Sequence, residues 1–283
     1  MISVIYWNLN PEIFSIQLGE TAIPFTWYGV CFAIAFLLAQ QLLYYIFKKD
    51  GKQISDVDAL TIYSVSAIIV GARVGHYLFY EWELLFRSPG LWLLDLVTPP
   101  FAGLASHGAT IAFLAALYLY SRKRPDQPFL WIADRVVIGA SLGGALVRLG
   151  NLFNSEIYGT PTSLPWGFVF ERETNPDLLP IVSRHPTQLY ESIFCLILLA
   201  VTFYLWKTRR AVLPDGVICS VFIVLLFTFR FMIEFLKNDQ VEFEAGLPLN
   251  MGQILSVPAI LYGLSIFLAS FRKSSRTDVG IRQ

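Results

Sequence analysis

The sequence predicts an all-α polytopic membrane protein: seven transmembrane helices and a small external head domain, built as one integral membrane domain over 1–283. Three observations carry this. Of the 283 residues, 55% are hydrophobic and 15% charged, whereas soluble domains carry about 25% charged residues. Seven apolar stretches approach or exceed the roughly 20 residues that cross a hydrocarbon core as a helix. The lysines and arginines between those stretches fall overwhelmingly on one side.

Taken in order, the stretches lie at about 24–47, 57–80, 101–120, 131–153, 187–206, 214–236 and 251–271. Breakers mark most of their starts: Pro24, Pro99-Pro100, Pro186 and Pro214-Asp215-Gly216. Residues 1–23 hold no Lys or Arg, so the basic n-region of a cleaved signal peptide is absent. One set of connections carries Lys48, Lys49 and Lys52, then Arg122, Lys123 and Arg124, then Lys207, Arg209 and Arg210, then a tail with Arg272, Lys273, Arg276 and Arg282. The other carries only Arg87, Arg172, Arg184 and Lys237. Thirteen against four places the C-terminus in the cytoplasm and the N-terminus outside. Residues 81–100, with Trp82, Trp92 and several leucines, suit an interfacial arm. Residues 154–186 hold five prolines and the alternating run Trp166-Gly-Phe-Val-Phe170; they read as an external cap with a strand or two.

Composition also excludes chemistry. Cys31, Cys195 and Cys219 all sit in apolar runs and read as packing residues. No Cys/His spacing suggests a metal, and no Gly-rich loop follows a strand. The formal net charge is zero, so charge argues neither for nor against nucleic acid; none is expected as a partner.

Four arginines fall within the spans: Arg73, Arg135, Arg148 and Arg230. At 1.5 Å rise per residue, Arg148 lies roughly 25 Å and Arg230 roughly 24 Å from the inner ends of their helices, and Arg73 at a similar depth. Tyr28, His107, Tyr190, Glu191 and Gln253 each fall within about 10 Å of the outer ends of the antiparallel helices. The costly polar groups thus share one level in the outer leaflet. Arg135 is the exception and is expected to snorkel to the inner face. Charges in a span face a bundle interior, a cavity or a partner. Each also has a structural reading. Arg73 fits an ion pair between helices, and Arg230 pairs locally with Glu234 at i, i+4. His107 fits a helix–helix hydrogen bond, Tyr28 an interfacial aromatic, and His185-Pro186 a helix-entry turn. Arg148 has no acid within the preceding turn and shares a face with Asn151. Several arginines at phosphate level suit an anionic headgroup, because the planar fork donates bidentate hydrogen bonds. From pattern alone this is an enzyme or transporter acting on anionic lipid.

The segment Arg148-Leu-Gly-Asn-Leu-Phe-Asn-Ser-Glu-Ile-Tyr-Gly159 resembles the signature of the prolipoprotein diacylglyceryl transferases. Around it, in that family's order, stand Trp27-Tyr28-Gly29, Gly71-Ala-Arg73-Val-Gly-His-Tyr-Leu-Phe-Tyr80, Ser106-His107-Gly108, His185-Pro-Thr-Gln-Leu-Tyr-Glu191, Arg230-Phe-Met-Ile-Glu234-Phe and Met251-Gly-Gln-Ile-Leu-Ser-Val-Pro258. The chain departs from the family's pattern in three places. Ala109 follows His107-Gly108 where Gly is usual. Ser155 replaces the Gly of Asn-Gly-Glu. Lys237-Asn238-Asp239 stands for Arg-x-Pro-Asp, outside the implied site residues.

The resemblance implies a seven-helix enzyme of the bacterial inner membrane, with a periplasmic N-terminus and external head. It implies transfer of the diacylglyceryl group from phosphatidylglycerol to the thiol of a lipobox cysteine in a prolipoprotein signal peptide. A thioether forms and glycerol 1-phosphate leaves. Surrounding membrane lipids, no cofactor, no metal and a monomer are expected. Arg148 and Arg230 would hold the phosphate, and His107 is the candidate base for the thiol. Glu156 and the lipid phosphate are its alternatives. Tyr28, Asn151, Glu156 and Gly159 match positions treated as functional in the family. Arg73, Tyr190 and Glu234 join them as substrate-binding residues by depth. A lipid scramblase or anion transporter is the rival reading, but its path needs polar residues at every depth, and here they thin out below the outer third. A purely structural anchor for the head would make poor use of four intramembrane arginines.

The charge split generates a topology test. Cysteines placed at 48–52, 122–124 and 207–210 should resist an impermeant thiol reagent in intact cells, and one at Thr174 should react. Labelling of both sets would overturn the orientation.

Overall fold

A computed structural model describes residues 4–19, 21–98, 103, 105–173, 179–237 and 248–280, with side chains described up to residue 272. Thr174, the first residues of the third stretch and Asn238-Asp239 lie outside the described residues. Among the described residues, six helices are long and apolar enough to cross a membrane: α1 (Trp27–Lys49), α2 (Ile54–Phe79), α6 (Phe129–Phe153), α7 (Thr187–Arg209), α8 (Val217–Ile233, continued by a 3-10 turn over Glu234–Leu236) and the Met251–Arg272 part of α9 (Met251–Gly280). The remaining predicted stretch forms α5 (Ser106–Arg122), a helix of 17 residues, about 25 Å long. The predicted arm forms two short helices, α3 (Trp82–Arg87) and α4 (Pro89–Val97).

Three strands precede α1, where only an external segment was expected: β1 (Ile5–Trp7), β2 (Glu12–Leu18) and β3 (Thr21–Thr26). Two more, β4 (Phe168–Phe170) and β5 (Ser183–Arg184), fall in the 154–186 segment. Pro24 does not start the first helix. It lies in the β2–β3 hairpin opposite Ser15, a pairing open to proline in a strand whose outer edge is free. Thr26 caps the helix instead, its Oγ1 accepting the Gly29 N–H at 3.1 Å.

The chain divides into two compact units, residues 1–42 with 134–283, and residues 43–133. In the second, α2 and α5 cross at small residues. A Cβ on Gly75 would fall 2.6 Å from the Gly108 Cα, and one on Gly71 2.6 Å from the Gly108 carbonyl oxygen. Gly71 and Gly75 are four apart, the spacing that lets helices approach closely where lipid supplies no hydrophobic drive. At the other end of this unit, Asp56 accepts from Arg124 Nε at 2.9 Å and Gln127 Nε2 at 2.6 Å. Gln127 also accepts from the Tyr120 hydroxyl at 2.8 Å. Lys52 meets the exposed Asp126 at 2.7 Å.

In the first unit β4 lies between β1, in parallel, and β5, antiparallel. The Trp7 indole donates to the Leu152 carbonyl at 3.0 Å and its ring packs on Phe153 and Phe168. A cluster of Leu152, Tyr158, Phe168 and Phe170 closes the C-terminal end of α6. Near the N-terminal end of α6, the buried Asp134 accepts the backbone N–H groups of Gly216 and Cys219 at 2.8 and 2.7 Å. Those donors have no partner within α8, so a side chain of α6 caps α8. Arg135, next in sequence, is also buried.

Two acids of the second unit should differ in weight. Asp56→Asn loses charge from two hydrogen bonds, each of about 1.5–3 kcal/mol at a charged group, whereas an exposed pair such as Lys52–Asp126 contributes roughly 0–1 kcal/mol. Lys52's hydrogen bond holds the Asp126 carboxyl below its usual range, so its small contribution is present above the ordinary carboxylate pKa and lost as pH falls through the lowered value. Melting in detergent should show Asp56→Asn well below Asp126→Asn at neutral pH. Equal shifts would contradict this ranking.

Candidate functional site

Arg148 and Asn151 lie three apart on the last turns of α6, and so on one face. Arg148 Nη1 donates to Asn151 Oδ1 at 3.2 Å. The chain then turns back: the Glu156 N–H bonds the Asn151 carbonyl at 3.1 Å, and the Glu156 carboxylate accepts from Asn151 Nδ2 at 2.8 Å and Asn154 Nδ2 at 3.1 Å. This turn is strained. Ser155 has φ 54° and Ile157 φ 59°, a region costly for a side chain and most of all for a β-branched one. It is held from α7, where buried Gln188 donates to the Glu156 carbonyl at 2.6 Å and buried Thr187 to that of Ile157 at 2.8 Å. Strain over-determined by neighbours in this way is what functional turns store.

From Arg148 a line of alternating charge runs to Arg230. Arg148 Nε stands 3.0 Å from Glu191 Oε2 on α7, without the alignment of a hydrogen bond. Glu191 Oε1 accepts from Lys237 Nζ at 2.8 Å. Lys237 also donates to Glu234 Oε1 at 3.3 Å. Glu234 Oε1 lies 4.0 Å from Arg230 Nε. The middle is buried, the Lys237 side chain being 4% exposed. The ends are open, Arg148 at 25% and Arg230 at 46%.

The neighbouring helix makes room for this line. A Cβ on Gly252 of α9 would fall 2.6 Å from the Glu234 carboxyl carbon, and Asn250 Nδ2 donates to Glu234 Oε2 at 3.3 Å. Gln253, expected among the outer-leaflet polar groups, is spent on capping. Its backbone N–H bonds Asn250 Oδ1 at 2.9 Å while its Oε1 accepts the Asn250 N–H at 3.1 Å, the reciprocal box of a helix start.

Lys237 is fixed through its backbone. Thr160 N–H bonds the Leu236 carbonyl at 2.8 Å, and Gly159 faces Lys237 in an antiparallel bridge. A Cβ on Gly159 would strike the Leu236 carbonyl oxygen and come within 2.8 Å of His185 and Thr187. Gly159 is therefore needed for close backbone approach. Tyr28 packs on Gly150 of α6, where an added Cβ would lie 2.9 Å from its ring.

The remaining expected residues are Tyr190, Arg73 and His107. The Tyr190 hydroxyl accepts from the Trp166 indole at 2.9 Å and lies 3.3 Å from His185 Nδ1. Burial pulls the His185 imidazole below its ordinary value, which favours its neutral form at pH 7. Arg73 and His107 belong to the second unit. Buried Arg73 donates to the Asp95 and Leu96 carbonyls at 2.5 and 3.2 Å and stacks on Tyr77 at 4.8 Å, meeting carbonyls that the end of α4 leaves unpaired. His107 is exposed on the first turn of α5, beside the α2 crossing at Gly108.

Sequence reasoning missed Glu191 and Lys237 as site members. Lys237 was set outside the site as an external-loop cation. Its spacing of three from Glu234 was the available signal. Among the described residues, no group of three or more His, Cys, Asp or Glu is placed to hold a metal. The line ends on two partly exposed guanidiniums, and the Glu156 carboxylate shares Asn151 with one of them, Arg148.

Residues 12–269 match the family model described as prolipoprotein diacylglyceryl transferase. Over 277 residues the chain is 40% identical to the phosphatidylglycerol--prolipoprotein diacylglyceryl transferase of Chloroherpeton thalassium, covering 96% of each. It is 39% identical over 273 residues to the protein of that name from Tolumonas auensis, covering 96% of this chain and all of the relative. For Bacteroides fragilis the identity is 35% over 283 residues, covering 96% and 97%.

Ser155 stands in a left-handed conformation where Gly is free to go, and its buried hydroxyl has no hydrogen-bond partner among the described residues. Ser155→Gly should stabilise the protein by about 1 kcal/mol, read as a raised melting temperature in detergent. A lowered one would show that the turn is not strained as described.

Proposed function

The chain belongs to the prolipoprotein diacylglyceryl transferase family, and on that premise we propose that it transfers the diacylglyceryl group of phosphatidylglycerol to the thiol of a prolipoprotein's lipobox cysteine. A carbon–sulfur bond forms at the glycerol carbon that bore the phosphate, and the carbon–oxygen bond to that phosphate breaks. Glycerol 1-phosphate leaves with both electrons of the broken bond, and the thiol proton passes to a base. Charge on the phosphate grows as the bond breaks, so guanidiniums aimed at its oxygens stabilise the transition state more than the bound lipid.

One observation carries this reading. Arg148 and Arg230, from separate helices, terminate a single line of alternating charge through Glu191, Lys237 and Glu234, and both ends are open while the middle is buried. Asn151 and Glu156 orient Arg148 from its other side, and Tyr28 and Gly159 act on the site through packing. Tyr190 and Arg73 are assigned to lipid binding, Tyr190 through its head contacts and Arg73 through the affinity of a guanidinium for phosphate. His107 is assigned as base on its chemistry, since a neutral imidazole can accept a proton from a thiol.

In the proposed topology α5 is the seventh span. The N-terminus and the 154–186 head face the periplasm, and the C-terminus the cytoplasm of a bacterial inner membrane. The basic split supports this. Both substrates are membrane-bound, so they enter laterally between helices.

Purified protein mixed with phosphatidylglycerol and a lipobox peptide should yield a diacylglyceryl-sized mass gain on the cysteine. Arg148→Lys and Arg230→Lys should each slow that transfer by about 10²–10³, the scale of one misplaced oxyanion donor, because lysine keeps the charge and loses the fork. His107→Ala should be slow at neutral pH and partly recover at high pH. No mass gain with the wild type would reject the reaction. Near-normal rates in both lysine variants would reject the clamp, and an unchanged rate in His107→Ala would reject that base.

A further inference from the structure

Lys237 is the one cation of the charged line to which the mechanism gives no task. Its position is unusual for a lysine, with the side chain 4% exposed and shared between two buried carboxylates. Such burial is costly unless charge is matched. The question is what Glu191 and Glu234 would do without it.

Arginine and carboxylate pair most strongly through two parallel hydrogen bonds that use both oxygens. Here each carboxylate has one oxygen committed to lysine. Glu191 gives Oε1 to Lys237 and only Oε2 approaches Arg148, unaligned, at 3.0 Å. Glu234 gives Oε1 to Lys237 and Oε2 to Asn250, and Arg230 stays 4.0 Å away. Neither arginine is forked onto its acid. With lysine removed, each freed oxygen would favour the adjacent guanidinium, and an incoming phosphate would have to displace a buried carboxylate.

We propose that Lys237 is a positioning residue that keeps Glu191 and Glu234 from pairing fully with Arg148 and Arg230, and so holds both guanidiniums open for the phosphate of an anionic lipid. This rests on the reading of the two arginines as the phosphate clamp. It also gives Gly159 a task, because the backbone pairing that Gly159 permits sets the 3-10 turn and hence the lysine. A point charge with three donors suits this role, since it can face two acids at once.

The test uses the full-length protein in detergent. Phosphatidylglycerol is titrated against phosphatidylcholine and bound lipid counted by mass spectrometry of the intact complex. Transfer to a lipobox peptide is measured in parallel. Lys237→Met should weaken phosphatidylglycerol binding about tenfold, the order of one charged hydrogen bond, and raise its KM more than it lowers kcat. Lys237→Arg should bind close to wild type. Adding Glu191→Gln to Lys237→Met removes the competitor for Arg148 and should return affinity toward wild type, a recovery that loss of folding would not produce. Should Lys237→Met not survive extraction, the double variant and Lys237→Arg carry the comparison. Undiminished binding in Lys237→Met, a double variant no better than the single, or a wild type that does not prefer phosphatidylglycerol would overturn the proposal. A wild type that binds phosphatidylglycerol and transfers nothing would instead reject the transferase reading, and the binding series would still decide the role of the lysine.

Discussion

A buried carboxylate must find a cation, and this protein is arranged around how Glu191 and Glu234 find theirs. Both are buried, Glu191 in the first turns of α7 and Glu234 just past the end of α8, where an unmatched charge is costly. They share Lys237, and the arginines on either side are left with weaker, one-sided contacts. The described line holds three cations and, with Glu156, three acids. The two guanidiniums are the open ends of that line, and the buried lysine is its middle.

That arrangement demands backbone geometry that ordinary elements do not supply. The turn after α6 places Glu156 by holding Ser155 and Ile157 at positive φ, stabilised by Gln188 and Thr187. The close pairing of Gly159 with the end of α8 places Lys237. Asp134 fixes the other end of α8 by capping its first N–H groups. Arg230 therefore stands on a helix restrained at both termini. This suits a clamp whose contribution depends on donors positioned before the charge develops.

Much of the fold was legible because lipid enforces simple rules. Length, apolarity and basic flanks located six long helices to within a few residues. The β2–β3 hairpin was not legible. Its alternation runs directly into α1, so Pro24 looked like a helix start when Thr26 is the cap. In the site, Arg148 and Asn151 stood out because polar groups are rare in such helices, and Glu156 through the family resemblance; Asn151 meets both. Lys237 escaped notice because a lysine beyond a helix end ordinarily faces water; only the Gly159 pairing turns it inward. Depth marks a polar residue as important without saying whether it serves a ligand or a helix end, and Gln253 and Arg73 both engage helix ends.

The central claim is that Arg148 and Arg230 hold one phosphate between them, and a structure of the protein with phosphatidylglycerol bound tests it most directly. The account predicts both guanidiniums at charge-assisted hydrogen-bond distance, about 2.7–2.9 Å, from oxygens of the same phosphate, with Lys237 still between Glu191 and Glu234. A phosphate held by one arginine alone, with the other forked onto its glutamate, would contradict it.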